Sequence, residues 1–116
     1  MQDDEVSSES VKRGKLYANA GADGLFLPAI QQPTHIEQVV KGISIPLNAM
    51  AVPGLADATE LGRLGVRRLS AGSGVTQAVW KQAESLARDF LQSGRSDTLT
   101  AAVMPYGQLQ GLFPDR

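Results

Sequence analysis

The chain has 116 residues, room for one domain and not obviously for two. Apolar residues make up 42% of it and charged residues 20%, and 11 Lys plus Arg against 12 Asp plus Glu leave a formal charge of -1, the balance of an ordinary globular protein. That balance, with no basic run beyond Arg67-Arg68, excludes a nucleic-acid footprint, and the absence of cysteine excludes disulfides, thiolate metal sites and cysteine nucleophiles.

Residues 1–6 read as a polar lead-in. Met1-Gln2-Asp3-Asp4-Glu5 is acidic where a secretory signal would be basic, and no apolar run approaches the roughly 20 residues that span a bilayer, so a cytoplasmic protein without a membrane partner is expected. From Ser7 to Ala20, Val11, Gly14, Tyr17 and Ala18 recur at helical spacing, and Gly21 stops the helix. Gly24-Leu25-Phe26-Leu27 is short and continuously apolar, as in a strand covered on both faces, and Pro28 ends its ladder.

Thr34 and Glu37 have the spacing of a capping box, which predicts a helix from there through Ile36, Val39 and Val40 to Gly42. Ile45 to Val52 is a second strand closed by Pro53-Gly54. Asp57 and Glu60 repeat the capping arrangement ahead of a third helix, about residues 58–64, with Leu61 and Leu64 inward; Gly65 ends it before a third strand, Val66 to Ala71. Gly72-Ser73-Gly74 then opens the longest helix. Val75, Ala78, Val79, Ala83, Leu86, Ala87, Phe90 and Leu91 give it a stripe broad enough to imply burial on more than one side, and Gly94 closes it. The tail has a helical patch near Thr98 to Met104, a break at Pro105, and Leu109, Leu112 and Phe113 at spacings of three and four.

Three strands about 21 residues apart with a helix between each pair have the spacing of consecutive right-handed crossovers, which makes the sheet parallel and the fold α/β. A whole (β/α)8 barrel typically needs about 250 residues, so this chain can supply only a segment of one.

Tyr17-Ala18-Asn19-Ala20-Gly21-Ala22-Asp23-Gly24-Leu25-Phe26, Pro46-Leu47-Asn48-Ala49-Met50-Ala51-Val52-Pro53-Gly54 and Glu60-Leu61-Gly62-Arg63-Leu64-Gly65-Val66-Arg67-Arg68-Leu69-Ser70 follow one another in order. They resemble the runs into the sixth, seventh and eighth barrel strands of the isocitrate lyase / phosphoenolpyruvate mutase family. Met104-Pro105-Tyr106-Gly107-Gln108-Leu109 resembles its tail, and the branch most resembled is the phosphoenolpyruvate phosphomutase / phosphonopyruvate hydrolase-like group. The resemblance covers roughly residues 9–113 and implies the C-terminal segment of a (β/α)8 TIM barrel. Residues 1–6 are then the lead-in, 7–94 carry units 6 to 8 with the preceding helix, and 95–116 form a helical tail.

The family resemblance implies Mg²⁺ and an enolate-forming 2-oxo acid or phosphoenolpyruvate-like ligand, with cleavage or rearrangement of a carbon-carbon or carbon-phosphorus bond. The metal-binding aspartates and the "K-x-C-G-H" loop of the family belong to earlier strands, so no magnesium is expected to bind this chain alone. Asp3-Asp4-Glu5 precedes a helix and is no substitute. By the same resemblance Asn48 stands where the family uses an asparagine to hydrogen-bond a substrate carboxylate. The alternative is a buried Asn bonded to neighbouring backbone. Leu27-Pro28-Ala29 departs from the lyase pattern, which has a glutamate there, and suits the phosphomutase and hydrolase-like branch.

Gly72, Ser73 and Gly74 at a helix N-terminus could cradle a phosphate or carboxylate, though a tight turn capped by Ser73 explains them as well, since Gln77 occupies the third glycine of G-x-G-x-x-G. His35 lacks ligand-spaced partners and reads as a solvated surface residue. Asp23 falls at the stability face of a barrel, Ser70 has no histidine for a triad, and Trp80 reads as core or interface. Two functions follow: a C-terminal fragment of such an enzyme, inactive alone, or a non-catalytic assembly module. The latter would complement a separate N-terminal half or form a homo-oligomer through the 75–93 helix, since the family exchanges its eighth helix between subunits.

Overall fold

The computed structural model describes residues 3–113, in two compact units that divide after Gly74. Residues 1–2 and 114–116 of the expected lead-in and tail lie outside the described residues.

In the first unit α1 (Asp3–Asn19) precedes β1 (Leu25–Leu27), α2 (Pro33–Gly42), β2 (Leu47–Met50), α3 (Ala58–Arg63) and β3 (Arg68–Ser70). The helix expected from Ser7 therefore starts four residues earlier, at Asp3. Acidic residues suit a first helical turn, where the backbone dipole favours negative charge.

The start of α2 also differs. Pro33 takes its first position, its fixed φ already helical and its missing N–H no loss there, and Gln32 occupies the N-cap with no side-chain cap bond. Thr34 thus lies inside the helix and cannot cap it, while Glu37 accepts from Lys41 at 3.0 Å. At α3 the expectation holds: Asp57 takes the N-cap and accepts from Glu60 N at 2.9 Å.

The sheet has the order β1-β2-β3, all parallel, with Leu25 opposite Leu47, Asn48 opposite Arg68 and Met50 opposite Ser70. The observed strands are shorter than the apolar runs that announce them. Pro46 has no N–H for a ladder and serves only as acceptor, from Leu25 N at 2.9 Å. Alternation sorts the strands into two faces. Leu25, Leu27, Leu47 and Ala49 pack with Ile36 and Val39 of α2, Leu61 and Leu64 of and beside α3, and Val66 in one core, to which Val11 of α1 adds. Phe26, Asn48, Met50, Arg68 and Ser70 take the other parity.

Helices α1 and α2 meet at two glycines. A Cβ on Gly42 would fall 2.6 Å from a Val11 methyl, and one on Gly14 would fall 2.8 Å from Ile43 Cγ2. Both distances are below contact range, so the seam requires glycine.

The second unit contains α4 (Gly74–Ser93, which begins at the boundary), α5 (Asp97–Thr100) and α6 (Tyr106–Gly111). The burial expected of the α4 stripe is not found: none of the helix is buried, and Trp80 is 71% exposed. Trp80 is therefore no core residue of this chain. Lys81 and Arg88 both pair with Glu84 along the helix surface, an i,i+3 and i,i+4 arrangement that supports it locally.

Candidate functional site

The sheet face opposite the helices carries a shallow concavity lined by Asp23, Gly24, Phe26, Pro46, Asn48, Arg68 and Ser70. Parity alone brings Phe26, Asn48, Arg68 and Ser70 together, because parallel register pairs even-numbered positions with even ones. In a closed barrel this is the inward face, and the C-terminal ends of its strands carry the site.

Asn48 is 7% exposed. Ser70 Oγ lies 3.0 Å from its Nδ2 and 3.1 Å from its Oδ1. Ser70 stands opposite Met50, two residues past the partner of Asn48, so this bond leans toward the C-terminal end of the strands.

The amide is best satisfied with its nitrogen toward the backbone. The two N–H groups then donate to Arg68 O at 2.9 Å and Ala49 O at 3.1 Å, while Oδ1 accepts from the Ser70 hydroxyl at 3.0 Å. The opposite orientation would set Oδ1 against two carbonyl oxygens, acceptor against acceptor. So held, Asn48 staples β3 to β2, and its donors reach a ligand only if the amide turns over. Ser70 is its hydrogen-bonding partner. Sequence reading passed over that pairing, although their common parity on neighbouring strands was the available signal.

Gly72, with φ of +59°, follows β3 closely enough that a Cβ there would sit 2.7 Å from Met50 Sδ. Gly74 N donates to Ala71 O at 3.1 Å, so this segment closes as a turn before α4. His35 is half-buried on α2 and lines a cleft on the helix side of β1, away from Asn48. Asp23 is exposed at the N-terminal end of β1, at the edge of the same concavity.

Perturbed ionisations belong to helix-surface pairs. The hydrogen bond from Arg63 holds Glu60 below the usual carboxylate range, Arg13 does the same for Glu9, and Lys81 with Arg88 for Glu84. Among the described residues no three His, Cys, Asp or Glu stand together as a metal site, and no helix is long and apolar enough to cross a membrane.

Residues 1–91 match the family model described as phosphoenolpyruvate phosphomutase. An uncharacterized protein of Mycobacterium tuberculosis is 36% identical over 109 residues, 94% of this chain and 40% of that protein. An oxaloacetate decarboxylase of Pseudomonas fluorescens is 31% identical over 99 residues, 83% of this chain and 34% of its own. Among solved structures, a proposed lyase/mutase from Burkholderia cenocepacia superposes with a TM-score of 0.81 at 27% identity, over 94% of this chain and 40% of that one. Phosphoenolpyruvate phosphomutase from Streptomyces platensis shares the fold, with a TM-score of 0.77 at 21% identity over 91% of this chain and 39% of its own.

The chain thus spans at most about 40% of the length of these relatives. Its three parallel strands with their helices correspond to the C-terminal segment of an α/β barrel. Parallel register, strand motifs and family match converge on one statement: the chain belongs to the phosphoenolpyruvate phosphomutase family, within the isocitrate lyase / phosphoenolpyruvate mutase group.

Proposed function

We propose that this chain forms the closing three βα units of an enzyme that cleaves or rearranges a carbon-carbon or carbon-phosphorus bond in a 2-oxo acid or phosphoenolpyruvate-like substrate. The match over residues 1–91 carries this reading. The family resemblance supports the substrate class, as does the oxaloacetate decarboxylase among the relatives, which is named for its substrate.

In this reading Asn48 contacts a substrate carboxylate from the inward face. A carboxylate that outcompetes Arg68 O and Ala49 O for the two N–H groups would turn the amide over, with Ser70 Oγ as pivot. Gly72, Ser73 and Gly74 stand at the same strand ends as a weaker contact, where Gly74 N would have to leave Ala71 O to serve a ligand. The family's Mg²⁺ would be held by residues outside this chain, because the family resemblance puts the metal-binding aspartates on earlier strands, and no metal step is assigned to the residues of this chain.

The experiment joins this chain to the preceding barrel portion of the Mycobacterium tuberculosis relative and follows pyruvate release from oxaloacetate and from phosphonopyruvate with Mg²⁺. Turnover is expected from the fusion, with Asn48→Ala raising KM about tenfold, the cost of one charge-assisted contact. Turnover by the 116-residue chain alone, or an unchanged KM in the variant, would sink the reading.

A second reading, an assembly module, is favoured by the apolar side chains of α4 in solvent: Val75, Val79, Trp80 and Leu91 are each at least 60% exposed. Sedimentation or light scattering tests it. A monomer at micromolar concentration would end it.

A further inference from the structure

Arg68 opens β3 on the inward face of the sheet, in line with Asn48 and Phe26 across the register. The Asn48 amide donates to Arg68 O at 2.9 Å, which pins the root of the side chain to β2. Arg68 is exposed and is the one cation among the residues that line the concavity. The one acid there is Asp23, which precedes β1, two strands away.

The helix arginines Arg13, Arg63 and Arg88 each pair with a glutamate of their own helix. Among the described residues no ion pair involves Arg68. While the face is open, water solvates its charge. A closed barrel has a packed interior and no pore. A guanidinium enclosed there keeps its proton and is strongly destabilising unless a counter-charge is enclosed with it.

We propose that Arg68 forms a buried ion pair with a carboxylate on the second or fourth strand of the preceding barrel portion. The proposal rests on the reading that this chain, which covers about 40% of its Mycobacterium tuberculosis relative, closes a barrel. Layers inside such barrels draw their side chains from alternate strands. With β3 as the eighth strand, its layer-mates are the second, the fourth and the sixth. The sixth is β1, whose inward Phe26 brings hydrocarbon and no charge. The counter-charge therefore comes from the two strands this chain does not supply. A free anion is the rival occupant. A single cation with the Asp23 carboxylate at the edge of the same concavity suits it poorly. Arg68 also stands at the N-terminal end of its strand, where barrel residues serve stability and not chemistry.

The test takes the fusion with the preceding portion of the Mycobacterium tuberculosis relative and unfolds it in urea between about pH 5 and about pH 8, beside the 116-residue chain. Arg68→Met keeps a hydrocarbon stem and removes the charge. In the fusion it strands a buried carboxylate, and the unfolding constant should rise about a hundredfold at the alkaline end. At the acid end the stranded carboxylate takes up a proton, and the rise should shrink below about tenfold. In the 116-residue chain the same substitution should change the constant less than about threefold throughout, because Arg68 there stands in water. Asp23→Asn, which removes the other titratable group of the concavity, should leave that pH profile unchanged. If Arg68→Met prevents the fusion from folding, Arg68→Lys, which keeps the charge, should restore it. Equal losses in fusion and chain, a loss independent of pH, folding restored by neither residue, or stabilisation of the fusion by inorganic phosphate that Arg68→Met abolishes would overturn the proposal. A fusion that folds without turnover sinks the enzymatic reading alone; one that turns over and is as stable with Arg68→Met sinks this inference alone; one that never folds sinks both.

Discussion

Single residues decide where the chain can turn. Gly65 ends α3 with φ of +94°, and a Cβ there would come 2.7 Å from Val40 Cγ1. Gly65→Ala therefore combines a left-handed backbone with an overlap in the core, and we expect it to cost about 1–3 kcal/mol. Urea unfolding should show a lower midpoint with an unchanged slope. The turn at Gly65 could be read in the sequence because glycine after an apolar pair stops a helix. The clash with Val40 could not, because it depends on how α2 packs, as the Asn48–Ser70 bond depends on strand register.

At the scale of elements, caps gave the clearest signal and also its failure. Asp57 and Glu60 form the bond their spacing announces, and Asp57→Ala should cost about 1 kcal/mol, seen as an earlier urea midpoint. Thr34 and Glu37 have the same spacing and form no cap, because with Gln32 as N-cap and Pro33 first in the helix, α2 starts two residues sooner. Local pattern could not rank the two signals; a fixed φ outweighed a side-chain bond. The three strands and their order were readable from apolar runs and spacing, their lengths were not, since Pro46 and the short ladders trim them.

The pair of Glu60 with Arg63 predicts a pH dependence of definite sign. Its carboxyl is held below the ordinary glutamate range in the folded protein, so the stabilisation is complete above the unfolded value and is lost as pH falls through the folded one. The pair is exposed and the effect on stability will be small. The Glu60 carboxyl ¹³C shift followed against pH should show the depressed midpoint, and Arg63→Gln should return it to the ordinary range.

For the whole molecule, composition bounded the answer and topology supplied the rest. Forty-two per cent apolar residues would suit many single domains, yet Val75, Val79, Trp80, Phe90 and Leu91 of α4 are exposed and, among the described residues, β1 and β3 each leave one sheet edge unpaired. The chain spans about 40% of the relative from Mycobacterium tuberculosis. Unpaired strand edges invite pairing. Fusing the preceding barrel portion should therefore slow amide exchange in Leu25–Leu27 and Arg68–Ser70, the outer strands, more than in Leu47–Met50.

The glycine seam between α1 and α2 also sets a dimension. With Val11 seated directly against Gly42 and Ile43 against Gly14, the separation at each point is set by one branched side chain against bare backbone. The same two helices form the jaws of the cleft that His35 lines, so its aperture is fixed from further along the pair. Gly42 and Gly14 act as a caliper, and a methyl group added at either would be felt as a wider mouth several residues away.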